Sequence, residues 1–223
     1  MLSIGEARST ILTEISSDDA QVRAEYLKHF RVDVERFADA MARAFLNWQI
    51  LNIGTEKDVK RAYVSALTYT AITLHVQSLK VFISGLSVAA GNLMRQVLES
   101  IALALLCSGK GLDILDRFMA GKYLTTDAIP DVIHYADRLG LNKSGVDALR
   151  DGQKFYHQYS HPTHLTIASV TAFSKEGLRG IYVGAAFDEH KLDAYVKEVK
   201  GRLSLAEVFS NFVDGVKANL AKW

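Results

Sequence analysis

Ten residues, "FYHQYSHPTH" at 155 to 164, hold three histidines, two tyrosines, a serine and a proline. Imidazole titrates near neutral pH and can move protons, while phenol and hydroxyl groups donate and accept hydrogen bonds. Tyr156, Ser160 and His164 are spaced four and four, which would place them on one helix face. Pro162 interrupts such a helix, because its ring clashes with the preceding turn and pushes His161 out of helical angles. The stretch is therefore expected to be a helix end and a turn, with His164 just beyond it. The plain alternative is a helix C-terminus whose side chains satisfy free carbonyls. His157, His161 and His164 also offer three imidazoles to a zinc ion, with Asp151 the nearest carboxylate in sequence.

The segment leading into this stretch, "RDGQKFYH", places Arg150 and His157 seven positions apart, with Lys154 between them. Seven positions make two helical turns, so both side chains can face one phosphate. A guanidinium fork holds phosphate in two places, and an imidazole can take a ribose 2′-OH proton or protonate a leaving oxygen. A similar spacing recurs from Arg23 to His29, so the pattern alone carries little weight.

A third group stands on a strongly apolar stretch, "GNLMRQVLESIALALLC". Asn92, Arg95 and Glu99 share one helix face there. Three readings fit: a solvent-facing ion pair, a buried structural pair, or part of a site. A charge buried there without a partner would cost several kcal/mol, so the second and third readings both need the pair intact.

An apolar helix carrying Arg-x-x-x-Glu (Arg95, Glu99), followed about 55 residues later by Tyr-x-x-x-Ser-x-x-x-His (Tyr156, Ser160, His164), resembles a family of uncharacterised bacterial helical proteins related to the HEPN superfamily. The resemblance covers roughly residues 60 to 220 and implies an all-α HEPN-like helical bundle. Many HEPN proteins are metal-independent ribonucleases of stress or phage defence, with an Arg…His pair that Arg150 and His157 would supply here. The resemblance implies RNA as partner, no cofactor, and a homodimer with the site near the interface. Arg95, Arg150 and Lys154 would then bind phosphate, and His157 or His164 would carry protons. Glu99 would orient Arg95, while Tyr156, Ser160 and Asn92 would supply hydrogen bonds. The competing expectation is a non-catalytic helical interaction module in which the Arg, Glu, Tyr, Ser and His side chains form a buried network.

The elements that must position these residues are legible from patterning. Only Pro130 and Pro162 interrupt the chain, which permits long helices. From Asp19 to Leu51, Val22, Tyr26, Phe30, Val34, Phe37, Met41, Phe45 and Trp48 recur every three or four residues, which predicts one long amphipathic helix with Asp18 and Asp19 at its start. Thr55 and Asp58 suggest a cap for a second helix running to about Ser84. A third follows Gly85 and stops near Gly109. Shorter helices are expected over 114–123 and from Pro130 to Gly140. Another is expected from a Ser144/Asp147 capping signal to the histidine-rich turn. Residues 165 to 187 suggest a short β-hairpin turning at "SKEGL". Asp188 is expected to cap a last helix carrying Leu192, Val196, Val199, Leu203, Phe209, Val213 and Leu220. Nothing reads as a linker, so one domain over 1–223 is expected.

Bulk properties narrow the classes. Net charge is +1, which argues against wholesale nucleic-acid wrapping but leaves room for a local basic groove. The lone Cys107 allows no intramolecular disulfide and suits a reducing, cytoplasmic setting. The N-terminal run does not read as a secretory signal. The uncharged run from Ala62 to Leu79 is interspersed with Ser, Thr, His and Gln, so it is expected to be a helix buried in protein rather than a membrane span.

Overall fold

The computed structural model describes residues 3–174 and 177–223. The described residues form an all-α bundle with one small β-hairpin. Its helices are α1 (Ile4–Ser16), α2 (Ala20–Asn52), α3 (Val59–Ile83), α4 (Ser87–Ser108), α5 (Ile114–Met119), α6 (Ala128–His134), α7 (Ala136–Leu139), α8 (Lys143–His157), α9 (His164–Val170) and α10 (Leu192–Leu220). Strands β1 (Thr171–Ser174) and β2 (Gly177–Ile181) lie between α9 and α10 and pair antiparallel, with a register shift after Ala172. The Lys175–Glu176 tip of the expected hairpin turn lies outside the described residues.

α4 is the axis of the bundle. α3, α6, α8 and α10 pack around it, and α2 closes the far side against α3 and α10. From Ile101 to Ser108 every residue of α4 is buried. That is the pattern of a helix surrounded on all sides rather than one with a wet face. α3 is anchored by Asp58, whose carboxylate accepts from the backbone N–H groups of Lys60 and Arg61. Thr55 does not share that role: it opens a 3₁₀ turn and its hydroxyl donates to the Asn52 carbonyl. The chain end is tied down by Trp223, whose indole N–H donates to the Ser108 carbonyl at 2.8 Å. No helix among the described residues is long and apolar enough to cross a membrane, and within α3 the Ala62–Leu79 run packs on α4, α2 and α10.

Several boundaries differ from the sequence reading. α8 is capped by Asn142, which accepts from the Gly145 N–H at 2.8 Å, while Ser144 donates to that same carboxamide and Asp147 turns to Arg150. The helix carrying Pro130 starts earlier, at Ala128, and is interrupted at Tyr135 before Gly140 ends it in left-handed geometry. Residues 164–170 are helical, not strand, because Thr163 restarts the helix with a reciprocal capping box to Thr166. α1 is an additional helix with a Ser3/Glu6 capping box and no buried residue.

Candidate functional site

Pro162 ends one helix and the next begins two residues later. α8 passes into a 3₁₀ turn at Gln158–Ser160, and His164 opens α9. Tyr156, Ser160 and His164 therefore do not share a face. Tyr156 points inward to α10, where its hydroxyl donates to Glu198. Ser160 points to α4, where its hydroxyl donates to the Asn92 carboxamide oxygen at 2.9 Å. His164 is exposed. Asn92 also donates to the Tyr159 carbonyl at 3.1 Å, so one side chain clamps the turn through both ends of its amide. Gly91 makes this approach possible. A Cβ there would sit 2.2 Å from the Tyr159 ring.

Arg95 and Glu99 pair with each other at 2.8 Å and are both half-buried. The two distant segments singled out in the sequence do meet, and their meeting point is Asn92 with Tyr159 and Ser160. α9 also packs on α4.

Arg150, Lys154 and His157 are all exposed on α8. At 100° per residue they fall within roughly 60° of one another on the helix wheel. Arg150 is held by Asp147 and lies 3.7 Å from Asp151. The His157 and His161 rings approach to 4.6 Å between centroids, edge to face. Among the described residues no group of three or more His, Cys, Asp or Glu side chains is placed to hold a metal ion.

The structure reveals a second centre that sequence reasoning missed. Glu198 and Arg202, one turn apart on α10, form an ion pair in the core, with side chains 8% and 1% exposed. Tyr159 donates to the same carboxylate at 2.6 Å and Tyr156 at 3.3 Å. The Arg202 guanidinium lies over the Phe82 ring at 4.6 Å and the Tyr156 ring at 5.8 Å. Its Nε and Nη2 have no hydrogen-bond partner among the described residues. Burial raises both tyrosine pKa values well above the ordinary value, with Glu198 adding to the rise and Arg202 opposing it. Both phenols therefore stay protonated as donors.

One turn of packing away, His75 is buried against Phe37 and Phe209. Its Nε2 lies 3.0 Å from the Arg202 carbonyl, which can only accept, so the ring is the Nε2–H tautomer. Desolvation lowers its pKa to about 3; the carbonyl bond opposes this and the Arg202 charge adds to it.

A buried Arg/Glu/Tyr network thus exists, but its charges come from α10 rather than from Arg95 and Glu99. The available signal was register. Glu198 and Arg202 continue the line Tyr195, Ala206, Phe209 and Val213, all buried, so two charges sat on a core stripe. His75 likewise sits in the line Thr68, Ile72, Leu79 and Phe82. The recurring Arg23/His29 spacing is structural: Arg23 donates to the Ser84 hydroxyl and His29 stacks on Phe187. Cys107 is buried, and desolvation pushes its thiol up to about 12, so it is no nucleophile at neutral pH. Comparison of the chain with known protein families, curated proteins and solved structures gives no match.

Proposed function

We propose that the chain is an RNA-contacting helical bundle of the HEPN kind that works as a homodimer without a metal or cofactor. The observation that carries this reading is the exposed stripe Arg150, Lys154 and His157, which runs into the exposed His161 and His164. The Asn92 clamp holds that turn against α4. Arg150 and Lys154 supply cationic donors for phosphate, and Arg95 lies on the clamping helix. The pairing of Arg150 with Asp147 is exposed, and such pairs contribute only about 0–1 kcal/mol, so a phosphate can displace it. His157 and His164 are the proton carriers in the cleavage form of this reading. Glu99 holds Arg95.

With about three phosphate contacts, single-stranded RNA should bind weakly, and log K should fall against log salt with a slope of about −2. Fluorescence anisotropy with a labelled oligoribonucleotide reads both quantities, and Lys154→Ala should flatten the slope. Binding that is absent, or indifferent to salt, refutes the proposal. Cleavage that is undiminished in both His157→Ala and His164→Ala rejects the proton-carrying role.

A second reading has its own support. Tyr156 and Ser160 spend their hydroxyls inside the protein, on Glu198 and Asn92. That favours a non-catalytic interaction module in which these residues shape the bundle. Binding without any cleavage would select it over the ribonuclease form.

A further inference from the structure

α1 and the outer groove between α2 and α3 are two unpartnered apolar surfaces of one chain. Ile4, Ile11 and Ile15 form a stripe along α1, flanked by Leu12. Ile4 and Ile15 are 88% and 76% exposed, and the helix buries no residue. The groove has a volume of about 670 Å³ and is floored by Phe37, Met41 and Ile72, with Phe45, Tyr69 and Val76 along it. The exposed positions of α3 from Tyr63 to Gln77 carry no charge, and Tyr69 and Val76 are large and more than two-fifths exposed. An uncharged outer face is unusual for a helix that meets water, because surface helices set a charged side opposite their apolar one.

We infer that α1 of one copy of this chain docks in the α2–α3 groove of a second copy, with the two helices exchanged reciprocally. Reach decides against the same chain filling its own groove. Only residues 17–19 separate α1 from α2. At 1.5 Å per residue the 13-residue α1 is about 20 Å long, and the groove begins at Val34, about 21 Å along α2. An α1 folded back along its own α2 ends where the groove starts. α1 is also steered elsewhere, because the Glu14 carboxylate accepts from the Ala185 N–H at 2.9 Å.

A helix stripe this long and about 10 Å wide covers about 200 Å² on each partner, so two exchanged stripes bury roughly 800 Å² in total, the size of a weak, concentration-dependent interface. The exchange is isologous, so closed two-fold symmetry limits assembly to a dimer. The inference does not rest on the RNA reading, since neither surface includes α8 or its histidines.

Two measurements test it. Light scattering on the full chain across a concentration series should show a dimer, and Ile11→Asp with Ile15→Asp should weaken dimerisation about a hundredfold or more while circular dichroism stays unchanged. Because Cys107 is buried, added thiols report alone. Mixed Ile11→Cys and Ala42→Cys chains should form a heterodimeric disulfide under mild oxidation, and neither chain alone should match its yield. A monomer at every concentration overturns the inference. So does a dimer indifferent to the α1 substitutions, or α1-dependent sedimentation with lipid vesicles by a monomer.

Discussion

Two pairs with the same spacing offer a direct measure of what burial does to charge. Arg95–Glu99 on α4 is half-buried, and Glu198–Arg202 on α10 is almost sealed. Glu198→Gln keeps the shape of the side chain and still accepts from Tyr159, but removes the negative charge. Arg202 is then an uncompensated cation with Nε and Nη2 already lacking partners. Breaking one side of a buried pair costs about 3–5 kcal/mol. Against a typical stability of 5–15 kcal/mol that is a large fraction, and for a chain of this length it lowers Tm by roughly 6–20 °C. Adding Arg202→Met should recover much of the loss. The thioether replaces the guanidinium between Phe82 and Tyr156, no lone charge remains, and the double variant should fall within about 2 kcal/mol of the parent. Arg95→Met, in the half-buried pair, should cost about 1 kcal/mol or less. Urea unfolding followed by circular dichroism of the parent, these three variants and Arg202→Met alone gives the values from midpoints at constant slope. The reasoning fails if Glu198→Gln costs under 1 kcal/mol, or if the double variant loses the sum of the single changes.

His75 predicts acid sensitivity. Its folded pKa of about 3 lies below the unfolded value near 6.5, so between those limits only the unfolded chain takes up its proton and stability falls as pH falls. Stability from this group is full above pH 6.5, and its folding constant drops about tenfold per pH unit below it. His75→Gln should remove that portion of the slope between pH 4 and 6, and identical profiles for the two proteins would contradict the assignment. Gly91→Ala should destabilise by about 1–3 kcal/mol although alanine is the better helix former, because the added methyl collides with a Tyr159 ring tethered to Glu198. A thermal melt showing a rise in Tm would refute that packing argument.

The sequence by itself determined the helical class and most of the long elements. Apolar residues at steps of three and four, glycines past helix ends and the scarcity of proline are local signals, and local signals survive without knowledge of neighbours. They located α2, α3, α4 and α10 to within a few residues, and they marked Asn92 and Ser160 as polar groups on otherwise apolar or aromatic stretches. They misread 164–170, where β-branched residues suggested a strand, because the Thr163 cap that restarts the helix is a single residue beside a proline.

What only the tertiary structure decided is which polar groups face one another. Tyr156 and Ser160 shared a spacing, yet the 3₁₀ turn sends one to α10 and the other to α4. Glu198 and Arg202 lie about 40 positions from the tyrosines they bind, and their register on the core stripe of α10 does not say which groups they meet. Whether an i, i+4 pair is sealed or wet depends on which helices cover it. Packing sets that, through apolar area buried across the whole chain rather than through any run of neighbouring residues.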